Sequence, residues 1–405
     1  MRDDVGPAPP EQGFSTRLAH VGRADKRSGG FVNPAVHRGS TVLYPNMAER
    51  QRNQGKARAL EQALVYGLMG TPTHFALEDA IAEIEGGTRC QIVSSGLAAI
   101  TTPLLAYLST GQHCLVPDSV YGPTRRFCDS MLVRMGIETT YYDPCIEPAG
   151  LEALLRANTS VLFVESPGSH TFDVQDVPAL AEVAHAHGAK VLMDNTWGIH
   201  FFQPFRHGVD VSIQAATKYI GGHSDLMLGA VTVNSAQDWE RVRLTALELG
   251  QYASPDDCWL ALRGLRTLSV RLERQMQSGL AVAAWLAERP EVKLVLHPAL
   301  PGAPGHALWR RDFTGACGLF GVVFQPAFSR QAVHALVESL DLFGIGASWG
   351  GYESLVLPTQ DSIRRSAGTG DFGGQMLRLH IGLEEPADLI ADLARGLGVL
   401  RGQGH

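Results

Sequence analysis

Asp210-Val211-Ser212-Ile213-Gln214-Ala215-Ala216-Thr217-Lys218-Tyr219-Ile220-Gly221-Gly222-His223-Ser224-Asp225-Leu226-Met227-Leu228-Gly229 carries the chain from a short apolar strand, Val209 to Ile213, into small and polar residues. Lys218 is the single lysine there, and paired glycines follow it. A lysine at the end of a buried strand, with little charge around it, is a candidate for imine chemistry. Desolvation disfavours its ammonium form and lowers its pKa. An ordinary strand-to-loop lysine fits the same segment, so the neighbours must separate the two readings.

Upstream, strands alternate with helices. Gln91 to Val93, Cys114 to Val116, Val161 to Val164 and Lys190 to Met193 read as short strands. Helices are expected over Phe75 to Glu85, Leu97 to Leu108, Pro123 to Met135 and Val177 to Ala186. This alternation implies a mainly parallel sheet covered on both faces, with ligands at the carboxyl ends of its strands. Ser94-Ser95-Gly96, Glu165-Ser166, Asp194-Asn195 and Thr217-Lys218 all fall at such ends, so they are expected to converge on one crevice. Strand, small-residue turn and helix start at Ser95-Gly96-Leu97 form an anion site in outline, although Ser95 is equally a plain N-cap. Beyond Gly264 the pattern changes. A long helix, Thr267 to Glu288, precedes strands at Val292 to Leu296, Leu319 to Phe324 and Met376 to Ile381, with helices near Arg330 to Leu340 and Pro386 to Arg395. This reads as a smaller α+β domain. The division expected is an arm over 1–70 that packs on a partner subunit, a large domain over 71–265 and a small domain over 266–405.

Composition narrows the function. The net charge is −7 and no basic cluster occurs, so nucleic-acid binding is not expected. The N-terminus lacks the apolar segment of a signal peptide, and no run approaches the ~18 apolar residues of a membrane span. The six cysteines are scattered without a CxxC pair, which reads as reduced thiols in a cytoplasmic protein. No metal is expected: HExxH is absent, and His185 and His187 point apart on a helix.

A buried carboxylate at Asp194 and a desolvated Lys218 in one crevice suit pyridoxal phosphate. The lysine holds the aldehyde, and the carboxylate keeps the pyridine nitrogen protonated. Gly96, Leu97 and the Thr217 hydroxyl are candidates for the phosphate, and Tyr121 for stacking on the ring. Arg378, in Leu377-Arg378-Leu379-His380, suits bidentate capture of a carboxylate, or else sits on a solvated strand face.

These segments carry a family resemblance. Tyr66-Gly67 with Gly70-Thr71-Pro72-Thr73, Glu165-Ser166-Pro167-Gly168-Ser169, Asp194-Asn195-Thr196-Trp197, and Ala216-Thr217-Lys218-Tyr219 with Gly222-His223-Ser224-Asp225 occur in order. Gly264-Leu265-Arg266-Thr267-Leu268, Arg311-Asp312-Phe313-Thr314-Gly315, Ser348-Trp349-Gly350-Gly351-Tyr352-Glu353-Ser354 and Arg378-Leu379-His380-Ile381-Gly382-Leu383-Glu384 follow. The chain resembles the Cys/Met-metabolism pyridoxal-phosphate-dependent enzymes, on their β-lyase branch. The resemblance implies a fold-type-I transferase-like α/β architecture with a mainly parallel seven-stranded sheet, a smaller C-terminal α+β domain and a homotetramer built from dimers. It implies Lys218 as imine lysine and base, Asp194 at the pyridinium nitrogen, and Tyr121 on the ring as a second catalytic residue. Gly96, Leu97 and Thr217 are implied at the phosphate, with Tyr66 reaching the phosphate of the neighbouring subunit. Arg378 and Ser348 are implied at the α-carboxylate of a small sulfur amino acid, with Trp349 beside it. The implied reaction is β-elimination of cystathionine to homocysteine, pyruvate and ammonia, a transsulfuration step of methionine biosynthesis.

Three departures bear on the substrate. Leu68 stands where family members commonly carry an arginine that contacts phosphate across the interface, leaving Lys56 and Arg58 as candidate replacements. Ala215 replaces a frequent serine. Ala347 is small where an aromatic side chain can occur. A γ-class relative (cystathionine γ-synthase, cystathionine γ-lyase or methionine γ-lyase), a broad cysteine-S-conjugate β-lyase, and a cofactor-binding regulator without catalysis are the competing readings. No G-x-G-x-x-G follows the first strand, which disfavours a dinucleotide-binding dehydrogenase.

Overall fold

Short apolar runs become the central strands here because their side chains have two cores to fill. In β4 (Thr159–Glu165), Leu162 and Val164 enter one core while Val161 and Phe163 enter the other. Successive side chains of a strand point to opposite faces, so a strand buried on both sides is apolar at every position. The computed structural model describes residues 12–23, 30–368, 370 and 372–403. Residues 1–11 and 24–29 of the expected arm lie outside the described residues.

The first sheet contains β1 (Arg89–Val93), β2 (His113–Pro117), β3 (Glu138–Tyr142), β4, β5 (Lys190–Asp194), β6 (Val211–Gln214) and β7 (Gly229–Val233). Its order is β1-β7-β6-β5-β4-β2-β3, and only β7 runs against the others. The expected seven-stranded, mainly parallel sheet is therefore present. Two of its strands, β3 and β7, had no strong apolar run to announce them. The helix Gly96–Tyr107 begins directly after β1, and the Ser95 hydroxyl accepts the Ala98 N–H at 3.1 Å.

A second sheet comprises β8 (Val292–Leu296), β9 (Leu319–Phe324), β10 (Gly344–Ile345), β11 (Leu355–Pro358) and β12 (Met376–His380), in the order β10-β11-β12-β9-β8. It has its own core, in which Phe320, Val322, Leu377 and Leu379 meet Val333, Leu336 and Leu393. The 20-residue helix Leu268–Ala287 ties the two together: Leu268 and Leu272 lie in the core of the first sheet, and Val282 and Leu286 in that of the second. With Leu377 and Leu379 turned into this core, the opposite face of β12 is left to present Arg378 and His380.

Gly229 sets how closely β7 approaches the start of the Gly96–Tyr107 helix. A Cβ at Gly229 would run into the Ser95 carbonyl and stand 2.8 Å from the Ala99 methyl. Overpacking of this kind costs about 1–3 kcal/mol, so Gly229→Ala is expected to lower stability by that amount in urea unfolding of the purified protein.

Candidate active site

The carboxyl ends of β1, β4, β5 and β6 surround a cavity of about 380 Å³, into which Leu97, Tyr121, Glu165, Asp194, Lys218 and Arg378 project from different elements. Of the strand-end residues expected to converge, Ser95, Gly96, Glu165, Asp194, Thr217 and Lys218 line it, whereas Ser94, Ser166 and Asn195 do not. Lys218 follows β6 by a tight turn, in which its N–H donates to Ala215 O at 2.9 Å. Its Nζ donates to Ser348 Oγ at 2.6 Å and lies 5.5 Å from the centre of the Trp349 ring. Burial pushes the amine down to about 8; the Arg378 charge acts the same way and Asp194 opposes it.

Asp194 ends β5. Its Oδ1 accepts the Thr196 N–H at 3.0 Å, and burial raises its pKa against the pull of that bond and of Lys218. Arg378 is not on a solvated face: it lines the cavity, and Nη2 donates to Ser348 O at 3.1 Å. Burial brings Arg378 down to about 10, which leaves it a cation at neutral pH. Ser348 has φ 80°, a left-handed conformation rare for a residue with a side chain. That strain points both its hydroxyl and its carbonyl toward the two cations. The Tyr121 phenol is pushed up by burial and by the Asp194 and Glu165 charges, so it stays protonated.

At the other end of the cavity, the first N–H groups of the Gly96–Tyr107 helix have no partner within the helix. Ser95 serves Ala98 and Ala99, which leaves the N–H groups of Gly96 and Leu97 at the cavity wall for an anion. The Thr217 hydroxyl is already engaged, donating to Leu228 O at 3.2 Å and accepting from Leu228 N at 2.9 Å. Tyr66 is absent from this cavity. It is half-exposed beside a separate open cavity of about 690 Å³ that it shares with Leu68 and Arg38. The cation lining that cavity is Arg38, which pairs with Asp256, rather than Lys56 or Arg58.

Sequence reasoning placed Glu165 at the crevice but gave it no role. It is buried, accepts the Tyr121 N–H at 2.8 Å, and is pushed well above the carboxylate range by burial and by neighbouring Asp194. Its signal was an acid closing an otherwise apolar strand. His170 also lines the cavity, and nothing in its sequence context marked it. Among the described residues no cluster of His, Cys, Asp and Glu is arranged to hold a metal, and no helix is long and apolar enough to cross a membrane.

An aldehyde-reactive amine, a carboxyl group, a stacking ring and an anion-ready helix start fit pyridoxal phosphate. A family model described as Cys/Met metabolism PLP-dependent enzyme matches residues 15–398. The chain belongs to that family. Its cofactor is pyridoxal 5′-phosphate, and it is a PLP-dependent enzyme. It is similar to the cystathionine β-lyase of Bordetella avium, 46% identical over 95% of this chain and 97% of that protein. It is also similar to cystathionine β-lyase MetC of Escherichia coli, 42% identical over 95% and 98%. The crystal structure of metB from Corynebacterium glutamicum superposes with a TM-score of 0.88 at 30% identity, covering 97% of this chain and 100% of that one.

Imine formation with an aldehyde needs a neutral amine, which the lowered pKa of Lys218 makes available. The rate at which apoprotein takes up pyridoxal phosphate is therefore expected to rise with pH through a midpoint near 8, well below the ordinary lysine value. Arg378→Met removes a charge that holds the amine down, so it is expected to move that midpoint upward. Stopped-flow absorbance across a pH series checks both.

Proposed function

We propose that this chain is a carbon–sulfur lyase that cleaves L-cystathionine by β-elimination to homocysteine, pyruvate and ammonia. The observation that carries this reading is the placement of the Lys218 amine, with its lowered pKa, between a carboxylate-binding Arg378 and Asp194 in one cavity. Pyridoxal phosphate, when bound, supplies the electron sink for a carbanion beside the amino nitrogen.

The chain's residues do the rest. Arg378 and Ser348 hold the substrate α-carboxylate, which fixes where Cα stands relative to Lys218. Trp349 lies beside them. Lys218, released as a free amine, takes the Cα proton, and its reach lets it return a proton to the departing thiolate. Asp194 would meet the cofactor's ring nitrogen and keep it protonated. Tyr121 covers the ring as a protonated phenol, its backbone N–H held by Glu165. Gly96 and Leu97 would hold the phosphate with backbone N–H groups, and the Thr217 hydroxyl would join them by turning away the proton it now donates to Leu228 O.

Tyr66 is assigned to the phosphate of a neighbouring subunit, in a cytoplasmic homotetramer that serves methionine biosynthesis. An arm over 1–70, a large domain over 71–265 and a small domain over 266–405 are the units of that assembly. Support comes from the apolar side chains that the arm exposes: Phe31 is 80% and Leu43 90% exposed.

The test is product identity. Purified protein is expected to be yellow and to form pyruvate from cystathionine, whereas Lys218→Ala loses both the imine absorbance and turnover. Formation of 2-oxobutyrate instead assigns the chain to γ-class chemistry, and a colourless protein that pyridoxal phosphate does not reconstitute overturns the reading.

A further inference from the structure

Arg378 and His380 are two residues apart on β12 and therefore share a face. Both reach the same loop, 348–351. Arg378 Nη2 donates to Ser348 O, and the Gly350 N–H donates to His380 Nε2 at 3.1 Å. On its other side the loop presses on the catalytic lysine's own backbone. A Cβ on Gly350 would lie 2.9 Å from the Lys218 carbonyl carbon and 2.9 Å from the Tyr219 nitrogen, and Gly350 has φ 87°, which glycine alone adopts without strain. The loop is thus held between β12 behind and Lys218 in front.

The imidazole of His380 is buried, and its hydrogen bonds select its tautomer. Nε2 also stands 3.2 Å from Gly351 O, but that carbonyl already accepts from Gln275 Nε2 at 2.7 Å. With the proton on Nε2, the Gly350 N–H loses its acceptor. With the proton on Nδ1, the Gly350 N–H and Gly351 O are both satisfied, and one imidazole N–H remains without a partner. The second arrangement leaves fewer buried groups unpaired. Burial keeps the ring neutral, with a pKa pushed down to about 4, and the Arg378 and Lys218 charges add to that push.

We propose that His380 is a positioning residue: by accepting the Gly350 N–H it holds the 348–351 loop against Lys218, and so sets the Ser348–Lys218 contact and the aim of Arg378. Ser348, strained at φ 80°, is where the loop would relax on losing this anchor. The inference rests on the reading of Lys218 and Arg378 given above.

The test compares His380→Leu, which keeps bulk but has no acceptor, with His380→Gln, whose amide oxygen reaches roughly the Nε2 position. In the leucine variant the pH midpoint of cofactor capture by apoprotein is expected to shift by about half a unit or more, and KM for cystathionine to rise about tenfold with a smaller change in kcat. The glutamine variant is expected to restore both to within about twofold of wild type. If leucine prevents folding, His380→Asn, polar but too short to reach Gly350, replaces it with the same expectation. A folded leucine or asparagine variant with wild-type midpoint and KM overturns the proposal, as does a glutamine variant no better than leucine. If the wild type forms no pyruvate, the lyase reading fails, while the capture midpoint still judges the loop.

Discussion

Keeping one amine out of water is the constraint that the rest of this structure answers to. A desolvated lysine stays partly neutral only if no strong counter-charge re-stabilises its ammonium form, yet the same cavity must hold a carboxylate and an arginine. Arg378 resolves this by adding positive potential where Asp194 adds negative. The polar ends of the neighbouring strands then need partners of their own inside the core. Glu85, at the end of the helix Pro72–Glu85, supplies them. It is buried, accepts from Gln214 Nε2 at 2.9 Å and from Asn195 Nδ2 at 3.4 Å, and bonds Ser212. It therefore clasps the ends of β5 and β6 just behind Asp194 and Lys218. Burial raises its own pKa to about 8, with the three donors opposing.

Close packing fixes the seam between the helix start and the strand exit before Lys218. A Cβ on Gly96 would come within 2.6 Å of the Ala215 methyl, so the helix start rests directly on the strand exit before Lys218. The backbone N–H of Ala215 is in turn held by the Thr196 hydroxyl at 2.9 Å. This end of the cavity is thereby built mainly from backbone, and the contact requires glycine at position 96.

Much of the fold was legible because buried parallel strands leave continuous apolar runs and helices end at glycines. Val177–Ala186, Val292–Leu296 and Leu319–Phe324 lie where the pattern put them. The strand β3, Glu138-Thr139-Thr140-Tyr141-Tyr142, escaped notice because an edge strand is only half covered and carries polar residues. The strand β7, Gly229-Ala230-Val231-Thr232-Val233, is fully buried, but it is short, opens on Gly229-Ala230 and carries a polar Thr232, so its apolar run is too brief to stand out. Arg378 was ambiguous for a physical reason: its apolar neighbours fix which face it shares, and only the packing of β12 against the first sheet decides whether that face is wet. The Ser348–Lys218 contact spans 130 positions and depends on a left-handed backbone at a serine, which no local propensity encodes.

The position of β7 has a consequence for the order in which this protein becomes competent. β1, which delivers the Gly96–Tyr107 helix, pairs with no strand of the sheet except β7, and β7 in turn pairs with β6. Gly229, at the start of β7, also seats that helix. A nascent chain that has just passed Lys218 therefore has Gly96, Glu165, Asp194 and Lys218 in sequence, with Ser348 and Arg378 still to come, and no sheet joining the helix start to the lysine. The β1 side and the β6 side of the cavity are joined only when residues 229–233 slot between them, a long-range closure of the slow kind. Cofactor uptake thus doubles as a report that the antiparallel strand of the first sheet has been seated.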